Sequence, residues 1–294
     1  MWTGEEQQGF FEQILWESTG QQLDIIDVQL VAGGSINTSV RILTEQDNFF
    51  IKFNHAERED QFKTEVRGLQ LLRQTDALPV PNVLGHGKVG DKAYLLQNCI
   101  ESAPPNATFW QDFGQNLALL HSHTQREFGL HFDNYIGILS QNNQPLPNGI
   151  AFLVERRLRP QAGLALYNEL IDSELYQKLE KFYEHLPHLL PNERPALLHG
   201  DLWSGNFLTN EAGQATLVDP APYYGFREAE IAFTHLFGGF DAVFYEVYHD
   251  TFPLEDNFKE RIAIYNLYPL LVHVNLFGKS YLAPVEKLIK KYVG

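Results

Sequence analysis

Residues 196–225 read ALLHGDLWSGNFLTNEAGQATLVDPAPYYG and set two carboxylates (Asp201, Asp219), a carboxamide (Asn206) and an indole (Trp203) within one short run. Glycines and turn formers separate them, and only the brief apolar stretch ATLVD, 215–219, reads as a strand. His199-Gly200-Asp201 followed by Asn206 fits H-x-D-x-x-x-x-N. In that spacing the aspartate accepts the proton of an attacking hydroxyl, and the asparagine offers a neutral oxygen to a cation from the far side of the same turn. Asp219, closing its strand, adds a charged oxygen. Hard oxygen donors of this kind suit Mg2+, which retains waters and binds nucleotide phosphates. The plainer alternative is an Asx-rich turn in which Asp201 and Asn206 bond their own backbone.

Working outward, the upstream half weakens that alternative. The segments LDIIDVQLVA, NTSVRILTE and NFFIKFN have strand character, joined by the turn GGSI and by EQDN. A short opening helix places Phe10, Phe11, Ile14 and Leu15 on one face, and EREDQFKTEVRGLQLLRQT returns to helical spacing through Phe62, Val66, Leu69 and Leu72. A second strand pair follows in PNVLGHGKVG and KAYLLQNCI. Lys52 inside NFFIKFN would by itself be a snorkelling edge residue. Glu65, on the following helix, changes its meaning, because a strand lysine paired with a helix glutamate holds nucleotide phosphates in protein kinases. The turn carrying Gly33, Gly34 and Ser35 precedes Lys52 in the order needed for backbone N–H groups to cover phosphates, although it departs from G-x-G-x-x-G.

After ESAPPN the pattern turns helical, and Pro104 and Pro105 mark a lobe boundary. The expected architecture is α+β and bilobal: residues 1–103 as a small antiparallel sheet with a helix, and 104–294 as a helical lobe with an embedded hairpin. Helices are expected near 109–123, 150–166, 168–187, 227–248 and, with a break, 256–292.

Composition limits the partners. A formal net charge of -15 argues against nucleic acid and anionic membranes, which need a basic footprint. Cys99 is the only cysteine, so no intrachain disulfide or cysteine-based zinc cluster forms. The start MWTGEEQQGF lacks a secretory pattern, and no run of about 18 apolar residues exists to span a membrane. A cytoplasmic location is expected; the oligomeric state is left open.

With these residues in place the chain resembles the fructosamine kinases, or ketosamine 3-kinases, within the kinase-like group that includes aminoglycoside and choline phosphotransferases. The resemblance runs from about residue 10 to the C-terminus and is carried by LLHGDLWSGN, LVDPAPYYGFREAEIAF, HLFGGF, ERRLRPQ, GGSIN and FIKFN. It implies ATP with Mg2+ and phosphoryl transfer to O3 of a sugar attached to an amine, in a small molecule or on a lysine. By position it makes Asp201 the base, Asn206 and Asp219 the Mg2+ ligands, Lys52 the phosphate clamp and Glu65 its partner. The backbone of Asn98, Cys99 and Ile100, where the lobes join, would bond adenine. VDP stands where protein kinases have DFG, so no phenylalanine switch is expected. Some relatives carry a cysteine in the glycine turn; Ser35 here makes a thiol switch an unsuitable expectation, and Cys99 is expected as a small buried residue. Trp203 is either a core tryptophan or a flat surface for a sugar face or a cationic amine. Arg227 and Glu228 are expected as a structural ion pair. The pairs His121 and His123, and His185 and His188, are expected as ordinary helix residues rather than zinc ligands. An aminoglycoside or amino-alcohol kinase, or an inactive nucleotide-binding scaffold, are the alternatives.

Overall fold

A computed structural model describes residues 4–32 and 36–294. Gly33, Gly34 and Ser35, the proposed phosphate-covering turn, lie outside the described residues. The chain divides into two compact units, 1–107 with 208–218, and 108–207 with 219–294. Where the sequence suggests a single boundary after residue 103, the hairpin 208–218 therefore groups with the first unit. Its anchors are the Leu217 amide on the Pro79 carbonyl (2.9 Å) and the Asn106 amide on the Gly213 carbonyl (3.0 Å).

In the first unit, α1 (Gly4–Thr19), β1 (Ile25–Leu30), β2 (Thr38–Thr44), β3 (Asn48–His55), α2 (Glu59–Arg73), β4 (Val83–Val89) and β5 (Lys92–Asn98) follow one another. The strands form one antiparallel sheet in the order β1-β2-β3-β5-β4. Strand alternation decides what each face meets. Phe49, Ile51 and Phe53 of β3 join Phe10, Phe11, Ile14 and Leu15 of α1 in one core. Lys52, one residue out of step, points to the opposite face, where Leu95 packs with Phe62 and Val66 of α2.

The second unit begins with α3 (Phe109–Ser122), then the short strands β6 (Asn134–Ile136) and β7 (Leu139–Gln141). Next come α4 (Gly149–Leu153), a π-helical turn (Val154–Leu158), α5 (Arg159–Tyr167), α6 (Ser173–Tyr183) and α7 (Leu186–Leu189). The expected helix from 168 starts instead at Ser173, because Glu169 has a left-handed φ of +56° and Asp172 caps the Leu175 amide. The strands β8 (Ala196–Leu198), β9 (Phe207–Thr209), β10 (Ala215–Leu217) and β11 (Tyr223–Gly225) make two small pairs, β8 with β11 in this unit and β9 with β10 in the hairpin that groups with the first unit. The remaining helices are α8 (Arg227–Phe237), α9 (Ala242–Thr251), α10 (Phe258–Tyr265), α11 (Leu267–Phe277) and α12 (Leu282–Tyr292). Gly238 and Gly239, both at positive φ, end α8, and Asp241 caps α9, so 227–248 is two helices rather than one.

Candidate active site

In the first unit Lys52 is 5% exposed, and its Nζ donates to Glu65 Oε1 at 2.7 Å. The pairing follows from local structure: the strand turns Lys52 toward α2, and Glu65 lies one turn from the buried Phe62 and Leu69. The segment after β5 is stitched to the sheet. The Asn98 amide donates to the Asn82 carbonyl (3.0 Å), and the Cys99 amide donates to the Asn48 carbonyl (3.1 Å). Glu101 Oε1 accepts from Asn48 Nδ2 at 2.8 Å and from the Arg41 guanidinium. Residues 98–101 and 210–212 line a cavity of about 260 Å³. Cys99 is half-buried rather than buried, since it sits in an extended linker past the end of the strand, and its burial pushes the thiol pKa up.

In the second unit the pairing of β8 with β11 sets Leu198 opposite Tyr223 and Ala196 opposite Gly225. Carried past the strand ends, the same antiparallel register brings the segment leaving β8 beside the one entering β11. The Ala221 amide donates to the His199 carbonyl at 2.9 Å. Gly200, at φ +86°, is required there, because an added Cβ would lie 2.0 Å from the Ala221 carbonyl oxygen. Asp201 and Asp219 are thereby neighbours, and Asp219 itself has a left-handed φ of +55°, a backbone state that concentrates at functional loops. Burial and then the negative charge of Asp219 push the Asp201 pKa well above the usual carboxylate range, with the Asn206 hydrogen bond pulling the other way and the Glu230 charge adding a further rise.

Asn206 is 6% exposed, and its Nδ2 donates to the Asp201 carbonyl (2.8 Å) and to Asp201 Oδ2 (3.0 Å). The Asp201 carbonyl is an acceptor only, so the amide must turn its nitrogen to it and its oxygen away. The Asn206 amide closes the turn onto the Trp203 carbonyl (2.9 Å). Trp203 is 38% exposed, so it is not a core tryptophan, and its edge meets Phe237 with ring centroids 6.1 Å apart. The indole also covers Gly205, where a Cβ would lie 2.3 Å from the ring. Phe207 seats the end of the loop among Phe109, Phe113 and Phe240, which gives the FGGF run a packing role.

These donors fit a hard divalent cation: one carboxylate at Asp219, one carboxamide oxygen at Asn206, and adjacent acidic charge. Among the described residues no group of three or more His, Cys, Asp or Glu side chains could hold a metal ion by itself. Such a pair of oxygens would therefore share a cation with phosphate and water.

Several residues behave differently from expectation or were given no part in it. Arg227 and Glu228 do not pair with each other. Arg227 Nε donates to Glu193 (2.9 Å), and Glu228 accepts from Arg261 Nη2 (2.6 Å). Neighbours on a helix point in different directions, so each finds a partner elsewhere. Arg157, in ERRLRPQ, is fully buried in the π-helical turn. Its guanidinium lies over Tyr223 at 4.0 Å and donates to Asn143 Oδ1 at 2.5 Å, bracing the strand after Asp219. His121, an ordinary helix residue by expectation, is 0% exposed and bonds Glu230 and Tyr248.

Comparison with known proteins follows the geometry. The fructosamine kinase family model matches residues 9–294. A protein named probable ketoamine kinase in Synechocystis sp. is 36% identical over 276 residues, covering 94% of this chain and 93% of the relative. The chloroplastic protein-ribulosamine 3-kinase of Arabidopsis thaliana is 32% identical, covering 93% and 85%. A crystal structure from Haemophilus somnus, described as a putative fructosamine-3-kinase, superposes with a TM-score of 0.88 at 28% identity over 97% of both chains. The wider fold extends to an aminoglycoside phosphotransferase at a TM-score of 0.60 and 16% identity, covering 96% and 99%. The fold is thus α+β, bilobal and kinase-like, and the class is a phosphotransferase with an alcohol group as acceptor. Within that class, the chain belongs to the fructosamine kinase family.

Proposed function

We propose that this chain transfers the γ-phosphoryl group of ATP to the third-carbon hydroxyl of a ketosamine, a ribulosamine, erythrulosamine or fructosamine, free or on a lysine. Asp201 takes the hydroxyl proton as the new P–O bond forms and the bond to ADP breaks. Lys52, held by Glu65, grips the phosphates. Asn206 and Asp219 would hold Mg2+, which would supply charge neutralisation on the transferring group. The Asn98 and Cys99 amides donate to the Asn82 and Asn48 carbonyls, and adenine would bond the Ile100 N–H and the carbonyls of residues 98–100. The exposed Trp203 ring offers its face to the sugar or the amine. Phosphorylation at O3 destabilises the adduct and frees the amine, which gives the enzyme a deglycating role in the cytoplasm.

The observation that carries this proposal is the bond between Asn206 Nδ2 and Asp201 Oδ2 at 3.0 Å. It fixes the carboxylate of the base and leaves the carboxamide oxygen for a cation. The test is mass detection of phosphorylated product from ATP, Mg2+ and a panel of ribulose, erythrulose and fructose amines beside an aminoglycoside and an amino alcohol. Transfer to a ketosamine is expected. Phosphate on the aminoglycoside or amino alcohol alone would replace the substrate, and tight ATP binding without transfer to any acceptor would make the chain a scaffold. In the same assay Asp219→Asn is expected to need more Mg2+ for half-maximal rate; a titration matching wild type would remove the ligand assignment.

A further inference from the structure

Beside Lys52 the sheet carries a pair of side-chain amides to which the proposed reaction assigns no part. Asn54 stands two residues beyond Lys52 on β3, so both side chains project from the same face of the sheet. The Asn54 amide has one possible orientation. Its Oδ1 accepts from the His55 amide at 2.8 Å, while its Nδ2 donates to the Ile36 carbonyl and to Asn37 Oδ1, both at 2.9 Å. Both protons of that NH₂ group are therefore used, and the group cannot accept. Asn37 must meet it with its oxygen and turn its own Nδ2 away.

Asn37 is half-buried and immediately precedes β2, whose Thr38 and Ser39 lie opposite Phe53 and Lys52. Continued by one residue, that register sets Asn37 opposite Asn54, on the face that carries Lys52. Among the described residues the Asn37 Nδ2 makes no hydrogen bond. Two aimed N–H donors thus stand about 7 Å along the strand from the lysine. Residues 33–36, GGSI, lack the full G-x-G-x-x-G spacing that covers phosphates in protein kinases. A side-chain amide at the foot of this segment can serve oxygens of the same kind, and N–H bonds to phosphate are charge-assisted.

We infer that Asn37 is a nucleotide-binding residue whose Nδ2, aimed by Asn54, donates to an oxygen of the ATP phosphate chain. This rests on the function proposed above, in which Lys52 grips those phosphates.

The experiment measures binding without acceptor in the full chain, by calorimetry for ATP with Mg2+ and by competition for adenosine, which has no phosphate. Asn37→Ala removes both donors. Asn37→Asp keeps the oxygen that meets Asn54 but places a carboxylate oxygen where the NH₂ group stood. ATP affinity is expected to fall about tenfold in Asn37→Ala and about 10²-fold in Asn37→Asp, where like charges meet. Adenosine affinity should stay within about twofold for both, a split that a merely structural role would not produce. Lys52→Met is the reference. If it weakens ATP while both Asn37 variants bind ATP within about twofold of wild type, the role of Asn37 is overturned and the phosphate site stands. Equal losses for ATP and adenosine also overturn it, because the amide would then serve the nucleoside or the fold. Unchanged ATP affinity in all three variants would remove the nucleotide reading itself, and this inference with it. Folding is checked by circular dichroism, and should Asn37→Asp not fold, Asn37→Ala carries the same reading of outcomes.

Discussion

Lys52 and Glu65 in the first unit are opposite charges 2.7 Å apart, whereas in the second unit Asp201 sits beside a like charge, Asp219, which helps raise its pKa. The first arrangement is favourable as it stands, and its origin is simple: strand alternation and one helical turn bring the pair together. The second must be held against its own repulsion. The β8–β11 register, the left-handed Gly200, the left-handed Asp219 and the Asn206 amide supply the restraint. Side chains arranged against local electrostatics mark places where a protein performs chemistry, and a stable ion pair marks a place where it grips. On the function proposed above, the lysine pair would bind the nucleotide and the acid pair would carry the proton transfer.

The largest effect should come from the acid side. Asp201→Ala is expected to cut kcat toward the upper end of the about 10²- to 10⁴-fold range of general-base help, with ATP affinity by calorimetry unchanged. Equal loss of ATP affinity would erase the distinction between the two regions. Lys52→Met should do the converse and lower kcat/KM for ATP about 10²-fold with the KM for ketosamine preserved; an unchanged ATP dependence would break the comparison from the other side. A smaller effect is expected at Gly205→Ala, whose Cβ would lie 2.3 Å from the indole. Displacing Trp203 should raise the ketosamine KM about threefold to tenfold and leave ATP untouched, and no change in KM would place the indole outside the acceptor site.

The smallest effect concerns stability. Burial pushes the Glu193 pKa up to about 7, against the pull of Arg227. The unfolded chain titrates this group near its ordinary value of 4.5, so between about pH 4.5 and 7 the folded state binds more protons. Unfolding free energy attributable to Glu193 is then full below that window and falls as pH rises through it. On passing from pH 5 to pH 8, wild type should lose on the order of 1–3 kcal/mol relative to Glu193→Gln, a drop of a few degrees in Tm. Parallel melting curves for the two proteins would show that Glu193 carries no proton at pH 5.

Much of this was legible along the chain. The strand character of the segments around β2, β3 and β5 locates them, and the order of Lys52 and Glu65 anticipates their bond; the bond of Asn206 to the Asp201 carbonyl matches the Asx-turn alternative, while its bond to the Asp201 carboxylate was not foreseen. What escaped depends on partners distant in sequence. Glu230 in AEIAF looks like an unplaceable acid until His121, 109 positions earlier, reaches it. Its signal was there: a charged residue at an apolar position must be satisfied by something. Arg227 and Glu228 suggest each other only because adjacency on paper is not adjacency on a helix. The π-helical turn that buries Arg157 has no periodicity to betray it, and the hairpin 208–218 groups with the first unit through backbone bonds that side-chain patterns do not encode.

The most direct test of the central claim is the position of the transferred phosphate. With ATP, Mg2+ and a ribulosamine labelled with carbon-13 at its third carbon, NMR of the product is expected to show phosphorus coupling to that labelled carbon and its proton, and the signal should vanish with Asp201→Ala. Phosphate on a different carbon, or the same coupling at undiminished rate from the alanine variant, would contradict the account.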